Sequence, residues 1–345
     1  MAAFIDEIRE QPRVFARIWD EERERVAGLA RAVRERAPSL AFLAARGTSD
    51  NAATYCKYAL ESAAGLPTAL AAASLFTLYE TPPNLARALV LGISQSGAGP
   101  DVVQVLRKAR EQGALTVAIT NTADSDITRV AEYTLFCHAG LERAVAATKT
   151  YTAELYVAAL LALSLADNAG LLHALSTLPL IMEEALAVEE DIAARIERYR
   201  YMQRCAVLAR GFNYCTALEF ALKLKEATYS LAQPYSAADF LHGPVALIEP
   251  GFPVFLLSPA DATRPMLAQV AEQLREKEAE LLVVSDQKGA LGEAQVDLVV
   301  PAGVPAVLTP LLYVLPGQLF TYHLARARGL DADRPRGLSK VTLTR

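Results

Sequence analysis

Apolar residues recur at helical spacing over residues 4–36, where Ile5, Ile8, Val14, Ile18, Val26, Leu29 and Val33 form one stripe. One or two amphipathic helices therefore open the chain. Residues 51–64 and 101–112 also carry helical periodicity. Between them lie short apolar runs at 40–45, 68–72, 88–93, 115–119 and 133–137. Buried strands alternating with helices predict a parallel sheet covered on both faces. Residues 151–182 and 183–201 read as long helical stretches, a connector without strand signal.

The pattern then restarts. Leu208-Ala-Arg-Gly211 echoes Leu43-Ala-Ala-Arg-Gly47, an offset of 164 residues (211 minus 47). Apolar runs follow at 254–257, 281–284 and 298–300, and 309–328 predicts a closing helix. Two α/β lobes of similar topology related by internal duplication are expected, each a parallel sheet flanked by helices in a flavodoxin- or Rossmann-like three-layer sandwich. The expected domains are a helical segment at 1–36, a first lobe with its connector helices at 37–200, a second lobe at 201–328, and a tail at 329–345 lying over the active site.

Composition narrows the function classes. The chain has 345 residues, a formal net charge of -5 and 52% hydrophobic residues, a mildly acidic profile that argues against a nucleic-acid surface. The four cysteines form no C-x-x-C pair and have no zinc-like spacing, so neither a disulfide scaffold nor a metal site is expected. Residues 1–10 are charged and amphipathic, and the longest apolar run, 155–166, is shorter than the ~20 residues needed to span a bilayer. A cytoplasmic protein without membrane association or cofactor is the expectation. Only eight of the 34 basic residues are lysine, so each lysine invites a question.

Gly92-Ile-Ser-Gln-Ser-Gly97-Ala-Gly99-Pro100 follows a buried strand and opens a helix. Its glycines let an anion approach, Ser94, Gln95 and Ser96 supply donors, and a helix N-terminus offers unpaired N–H groups. Ala98 stands where a nucleotide-binding loop needs lysine, so a single phosphate monoester fits better than a triphosphate. A polar turn that caps the helix is the plainer alternative. Gly47-Thr48-Ser49 makes a similar turn, whereas residues 257–260 of the second lobe lack a serine cluster. Lys223 and Glu226, three apart on a helix, share a face, as a surface ion pair or as part of a site. His242, in Asp239-Phe-Leu-His242-Gly-Pro244, sits on a turn before a strand-like stretch at 245–248, where it serves turn structure or proton transfer. Lys340 is a solvated terminal lysine unless the alternation of Leu338, Val341 and Leu343 pins the tail.

Together these pieces resemble the sugar-isomerase (SIS) family, and within it the isomerase part of glucosamine-6-phosphate synthases. The matching segments are Arg46-Gly-Thr-Ser49, Ser94-Gln-Ser-Gly97, Val145-Ala-Ala-Thr-Lys149, Ala217-Leu-Glu with Leu222-Lys-Leu-Lys-Glu226, His242-Gly-Pro244-Val-Ala-Leu247 and Leu338-Ser-Lys340. The resemblance implies that Thr48, Ser49, Ser94, Gln95 and Ser96 bind the sugar phosphate, and that Val145 and Ser339 line the sugar. It implies that Glu226 moves a proton between C1 and C2, and that Lys340 can form a Schiff base with Lys223 in support. His242 then opens the ring, in that family from the neighbouring subunit of a homodimer. An amine nucleophile needs burial or a second cation beside it. Ala98 replaces a family Glu, Gly99 a Thr, Asp239 a Glu and Ser339 an Ala. No glutaminase domain is recognised before the first lobe, so the expected reaction is conversion of glucosamine 6-phosphate to fructose 6-phosphate and ammonia. The alternatives are a fructosamine-6-phosphate deglycase, the isomerase component of a synthase (transaminase), and a sugar-phosphate-binding regulator.

Overall fold

The computed structural model describes residues 2–340. The strands are β1 (Leu40–Ala44), β2 (Thr68–Leu70), β3 (Ala88–Ile93), β4 (Leu115–Thr120), β5 (Tyr133–Phe136), β6 (Arg204–Ala209), β7 (Leu231–Ser236), β8 (Pro253–Ser258), β9 (Glu280–Ser285) and β10 (Val296–Val299). The helices are α1 (Ala3–Arg36), α2 (Thr48–Ala64), α3 (Ser74–Thr77), α4 (Pro100–Glu111), α5 (Asp126–Val130) and α6 (Lys149–Leu165). They continue with α7 (Ala169–Ala185), α8 (Val188–Arg195), α9 (Tyr214–Lys223), α10 (Ala237–Leu241), α11 (Arg264–Glu276) and α12 (Thr309–Ala327). Two compact units result. The first comprises Glu10–Glu142, Lys149–Pro179 and residues 339–340; the second comprises residues 2–9, Arg143–Thr148 and Leu180–Leu338.

In the first unit the sheet order is β2-β1-β3-β4-β5, and every pairing is parallel. β3 and β4 are buried along their whole length, as strands covered on both faces must be. Val90, Val105, Leu106, Ala118 and Ile127 pack together on one face, and α2 lies along α6 on another side of the sheet unit. In the second unit the order is β10-β9-β8-β6-β7, again parallel throughout. Read from its other edge, that is the same 2-1-3-4-5 winding. Leu208, Phe240, Val254, Leu256, Val270 and Leu274 belong to one of its cores. The doubly wound parallel architecture expected from the sequence is present twice.

Two local readings are corrected. The expected strand at 245–248 is a short 3-10 turn over Pro244–Leu247: Gly243, at φ 142, turns the chain and Pro244 starts the turn. The strand of this region is β7 instead, whose Pro234 sits on the sheet edge where a missing N–H costs no ladder bond. The helical stretch 151–182 is broken, because Asp167 takes a left-handed φ of 52 and Asn168 accepts the Leu171 N–H at 3.0 Å to start α7. Residues 169–199 form one helical run long and apolar enough, by length and composition alone, to cross a membrane. Only 28% of its most apolar window is buried.

All four cysteines are buried and unpaired. Burial pushes the Cys56 and Cys205 thiols up to about 12. At pH 8 only about one such thiol in 10⁴ is ionised, and the thiolate is the reactive form. The native protein is therefore expected to consume almost no Ellman's reagent within minutes and about four equivalents once denatured. Rapid native labelling of one thiol would contradict this packing.

Candidate functional site

In the first unit, the carboxyl ends of β1 and β3 present the two polar turns. The chain leaves β3 through Gly92, where an added Cβ would stand 2.6 Å from Leu106 Cδ1, so strand and helix approach as only glycine allows. Ser94 Oγ accepts the Gly97 N–H at 3.2 Å, and Ser96 Oγ accepts the Ala98 N–H at 3.4 Å. Both hydroxyls thus act as acceptors toward the loop and keep their own protons to donate. The Gln95 carbonyl anchors the loop by accepting from the Asn121 N–H at 3.1 Å and from the Thr120 and Thr122 hydroxyls at 3.3 Å each. Gly97 takes φ 64, and a Cβ there would press on Ser125 and on Ile127 Cγ2 at 2.8 Å. Gly97→Ala combines left-handed strain with overpacking, each of order 1–3 kcal/mol. We expect it to weaken inorganic phosphate or phosphosugar binding at least tenfold, read by calorimetry. Unchanged affinity would remove this loop from the site.

The helix N-terminus differs from expectation. Pro100 has no N–H, and the Val102 N–H is taken by the Asp101 carboxylate at 2.9 Å. Asp101 is itself 1% exposed and paired with Arg46. The positive end of α4 is thus already answered by a side chain. Ser49 differs too: it is buried, and its hydroxyl donates to the buried Glu154 of α6 at 2.8 Å. Thr48 is half-buried at the start of α2. A cleft of about 700 Å³ flanks the outer side of the loop at Ala98 and Pro100. Its cations Arg107, Lys108 and Arg129 are held by Gln104, Glu111 and Asp126.

Ser339 is exposed and Lys340 half-buried. Lys340 Nζ lies 2.6 Å from Glu142 Oε2, a carboxylate whose side chain is 0% exposed. Lys340 is thus held by an ion pair, while Val341 and Leu343, expected to pin the tail, lie outside the described residues; its neighbour is an anion and not the second cation that an activated amine calls for.

In the second unit, α9 ends at Lys223 and passes directly into a π-helical turn, Leu224–Thr228, which carries Glu226. Such turns are rare and concentrate at functional sites. Lys223 is 1% exposed, with Nζ 2.5 Å from Glu226 Oε2 and 3.3 Å from Glu219 Oε1. Glu219 is wholly buried, whereas Glu226 is 21% exposed. Burial opposes the charge on Lys223, but the two carboxylates and their hydrogen bonds outweigh it and hold the ammonium above the ordinary lysine range. The pair is therefore not a surface i,i+3 contact. It is a buried cation between two acids, one of which faces solvent. Glu219 was missed in the sequence reading, although its spacing of four and seven from Lys223 and Glu226 places all three on one helix face.

His242 closes α10 and is exposed, with its backbone N–H on the Asp239 carbonyl at 3.1 Å. Val145 is half-buried, and its N–H is donated to the Asp333 carbonyl at 2.9 Å. Beyond the π turn, Tyr229 accepts the Arg336 N–H at 2.9 Å and stacks under its guanidinium at 4.0 Å. The corresponding turn after β8 holds no anion loop. There Arg264 donates to the Ser258 and Pro259 carbonyls at 3.0 and 3.1 Å and pairs with Asp286. Among the described residues, no group of three or more His, Cys, Asp or Glu side chains is arranged to hold a metal ion.

Two doubly wound parallel sheets, one with a glycine- and serine-bearing turn at the carboxyl ends of its strands, define a doubly wound α/β protein. The SIS domain model matches residues 38–164 and 200–328, and the chain belongs to that family. It is 38% identical over 304 residues to a glutamine–fructose-6-phosphate aminotransferase (isomerizing) of Aquifex aeolicus, covering 87% of this chain and 51% of that protein. The chain thus spans about half the length of the curated relatives it matches. Among solved structures, a protein of Silicibacter pomeroyi assigned as a phosphosugar isomerase superposes with a TM-score of 0.87 at 34% identity, covering 96% of this chain and all of that one. The C-terminal domain of glucosamine-fructose-6-phosphate aminotransferase from Francisella tularensis gives a TM-score of 0.87 at 26% identity, over 96% of this chain and 98% of that one.

Proposed function

We propose that this protein interconverts an amino-sugar phosphate and a ketose phosphate, and most specifically that it converts glucosamine 6-phosphate and water to fructose 6-phosphate and ammonia. The observation that carries this reading is the partly exposed Glu226 carboxylate held by the buried Lys223 ammonium, in a chain whose relatives are phosphosugar isomerases and aminotransferases. A carboxylate so held is fixed in place and still has a free oxygen to carry a proton. In the reaction His242 transfers a proton from the C1 hydroxyl to the ring oxygen, which opens the ring. Glu226 takes the proton from C2 and returns it to C1 while a proton passes from the amine to O1, so the amino aldose becomes a 2-imine with a C1 hydroxyl. Lys340 adds to C2 and displaces ammonia, and water then cleaves the lysine Schiff base to give the ketone. Ser94, Gln95, Ser96 and Thr48 hold the phosphate, with Ser49 joining once its hydroxyl turns from Glu154. Val145 and Ser339 border the sugar. The exposure of His242 suits a residue that serves the site of a second copy in a homodimer. No step in this scheme calls for a cofactor.

The test is incubation with glucosamine 6-phosphate, with ammonia and fructose 6-phosphate measured together. Equimolar release supports the reading, and absence of both products removes it. The identity to aminotransferases that are about twice as long favours a second reading, in which this chain is the isomerase part of an amidating enzyme. Under that reading, fructose 6-phosphate with added ammonia is aminated faster than glucosamine 6-phosphate is deaminated.

A further inference from the structure

We propose that Glu142 is the positioning residue of the terminal lysine: it docks Lys340 on the start of α6 and so fixes where the amine stands. The inference rests on the amino-sugar-phosphate reading above and adds to it a residue that the sequence motifs did not single out. Three contacts define the arrangement. Glu142 Oε1 accepts the Thr150 N–H at 3.1 Å, Oε2 accepts the Thr150 hydroxyl at 2.7 Å, and Oε2 also takes the Lys340 ammonium at 2.6 Å. The carboxylate is thereby fixed before the lysine arrives. Both its oxygens are engaged at the N-terminal turn of α6, where a negative charge is favoured. The helix itself is packed inside the unit, with residues 149–163 all buried.

An ion pair between two solvated side chains positions nothing, because both members move. Here one member has no exposed side-chain surface and the other is 28% exposed. An amine that must meet one carbon of a bound sugar gains its rate from being held close to that carbon. Glu142 supplies the anchor for Lys340 across 198 residues of sequence. The hypothesis makes Glu142 necessary for the lysine step and unnecessary for phosphate binding.

The experiment uses the full chain and Glu142→Gln, which keeps the shape and an acceptor for Thr150 but removes the charge. Two readouts are taken. The first is the rate at which Lys340 is acetylated by an N-hydroxysuccinimide ester, followed by peptide mass spectrometry against the exposed Lys277 in the same sample. The second is kcat and KM for ammonia release from glucosamine 6-phosphate. In the wild type Lys340 should react at least fivefold more slowly than Lys277. In Glu142→Gln the two rates should converge, with kcat at least tenfold lower and KM within threefold. Glu142→Asp keeps the charge but draws it back one methylene, so it should fall between the two in both readouts. Unchanged Lys340 labelling in both variants overturns the proposal, as does faster labelling with kcat retained. If the wild type releases no ammonia, the functional reading fails on its own, and the labelling still decides whether Glu142 holds the tail.

Discussion

Glu226→Gln is expected to lower ammonia release from glucosamine 6-phosphate by about 10²–10⁴-fold, the usual worth of a positioned acid or base. The substitution is close to isosteric. The glutamine carbonyl can still accept from Lys223 Nζ, which lies 2.5 Å from Glu226 Oε2, so the turn keeps its shape. What is lost is the ability to carry a proton between C1 and C2. Because the proposal assigns the phosphate to Ser94–Ser96 and not to Glu226, KM should change little while kcat falls. Equal rates for the variant and the wild type would remove Glu226 from the chemistry, and a raised KM with kcat retained would recast it as a binding residue.

The second large effect concerns stability. Lys223→Met should destabilise the protein by about 3–5 kcal/mol, because it removes the ammonium that faces the buried Glu219 carboxylate. Glu219 is 0% exposed and its Oε1 lies 3.3 Å from Lys223 Nζ. In the wild type the raised Lys223 pKa stabilises the fold at every pH below the ordinary lysine range, and that contribution fades only above it. The variant has the opposite profile. A buried acid that has lost the cation facing it has a folded-state pKa raised by burial above its unfolded value of about 4.3, so it favours folding at low pH and opposes it at neutral pH. The deficit should therefore shrink as pH falls from 7 toward 4, and Glu219→Leu added to Lys223→Met should recover most of it. Denaturant midpoints at the two pH values check this. A deficit independent of pH would mean that cavity formation, and not the stranded charge, dominates.

The architecture was largely legible because it rests on local periodicity. β1, β3, β4, β8 and β9 are short apolar runs between helices, and the echo of Gly47 at Gly211 marks the restart of the winding. β7 was not legible, since Leu231-Ala-Gln-Pro-Tyr-Ser has neither alternation nor an apolar run. It is an edge strand that tolerates proline, and its existence depends on β6 beside it. The 245–248 stretch failed for the converse reason: four apolar residues look like a strand, but Gly243 and Pro244 had already set a tight turn. At the candidate site, Lys223 and Glu226 could be paired from spacing alone. The contacts of Ser49 with Glu154 and of Lys340 with Glu142 span 105 and 198 residues. Nothing local announces them. The occupation of the α4 N-terminus by Asp101 was hidden in the same way, because an acid in the first turn is ordinary helix chemistry until its burial is known.

The π turn at Leu224–Thr228 makes this stretch intolerant of length change. One residue removed between Lys223 and Tyr229 would let the segment close as an ordinary helix with better backbone geometry. Such a shortened chain would gain local regularity and turn Glu226 away from the ammonium that now steadies it. The turn thus couples the length of this segment to the contact between Glu226 and Lys223.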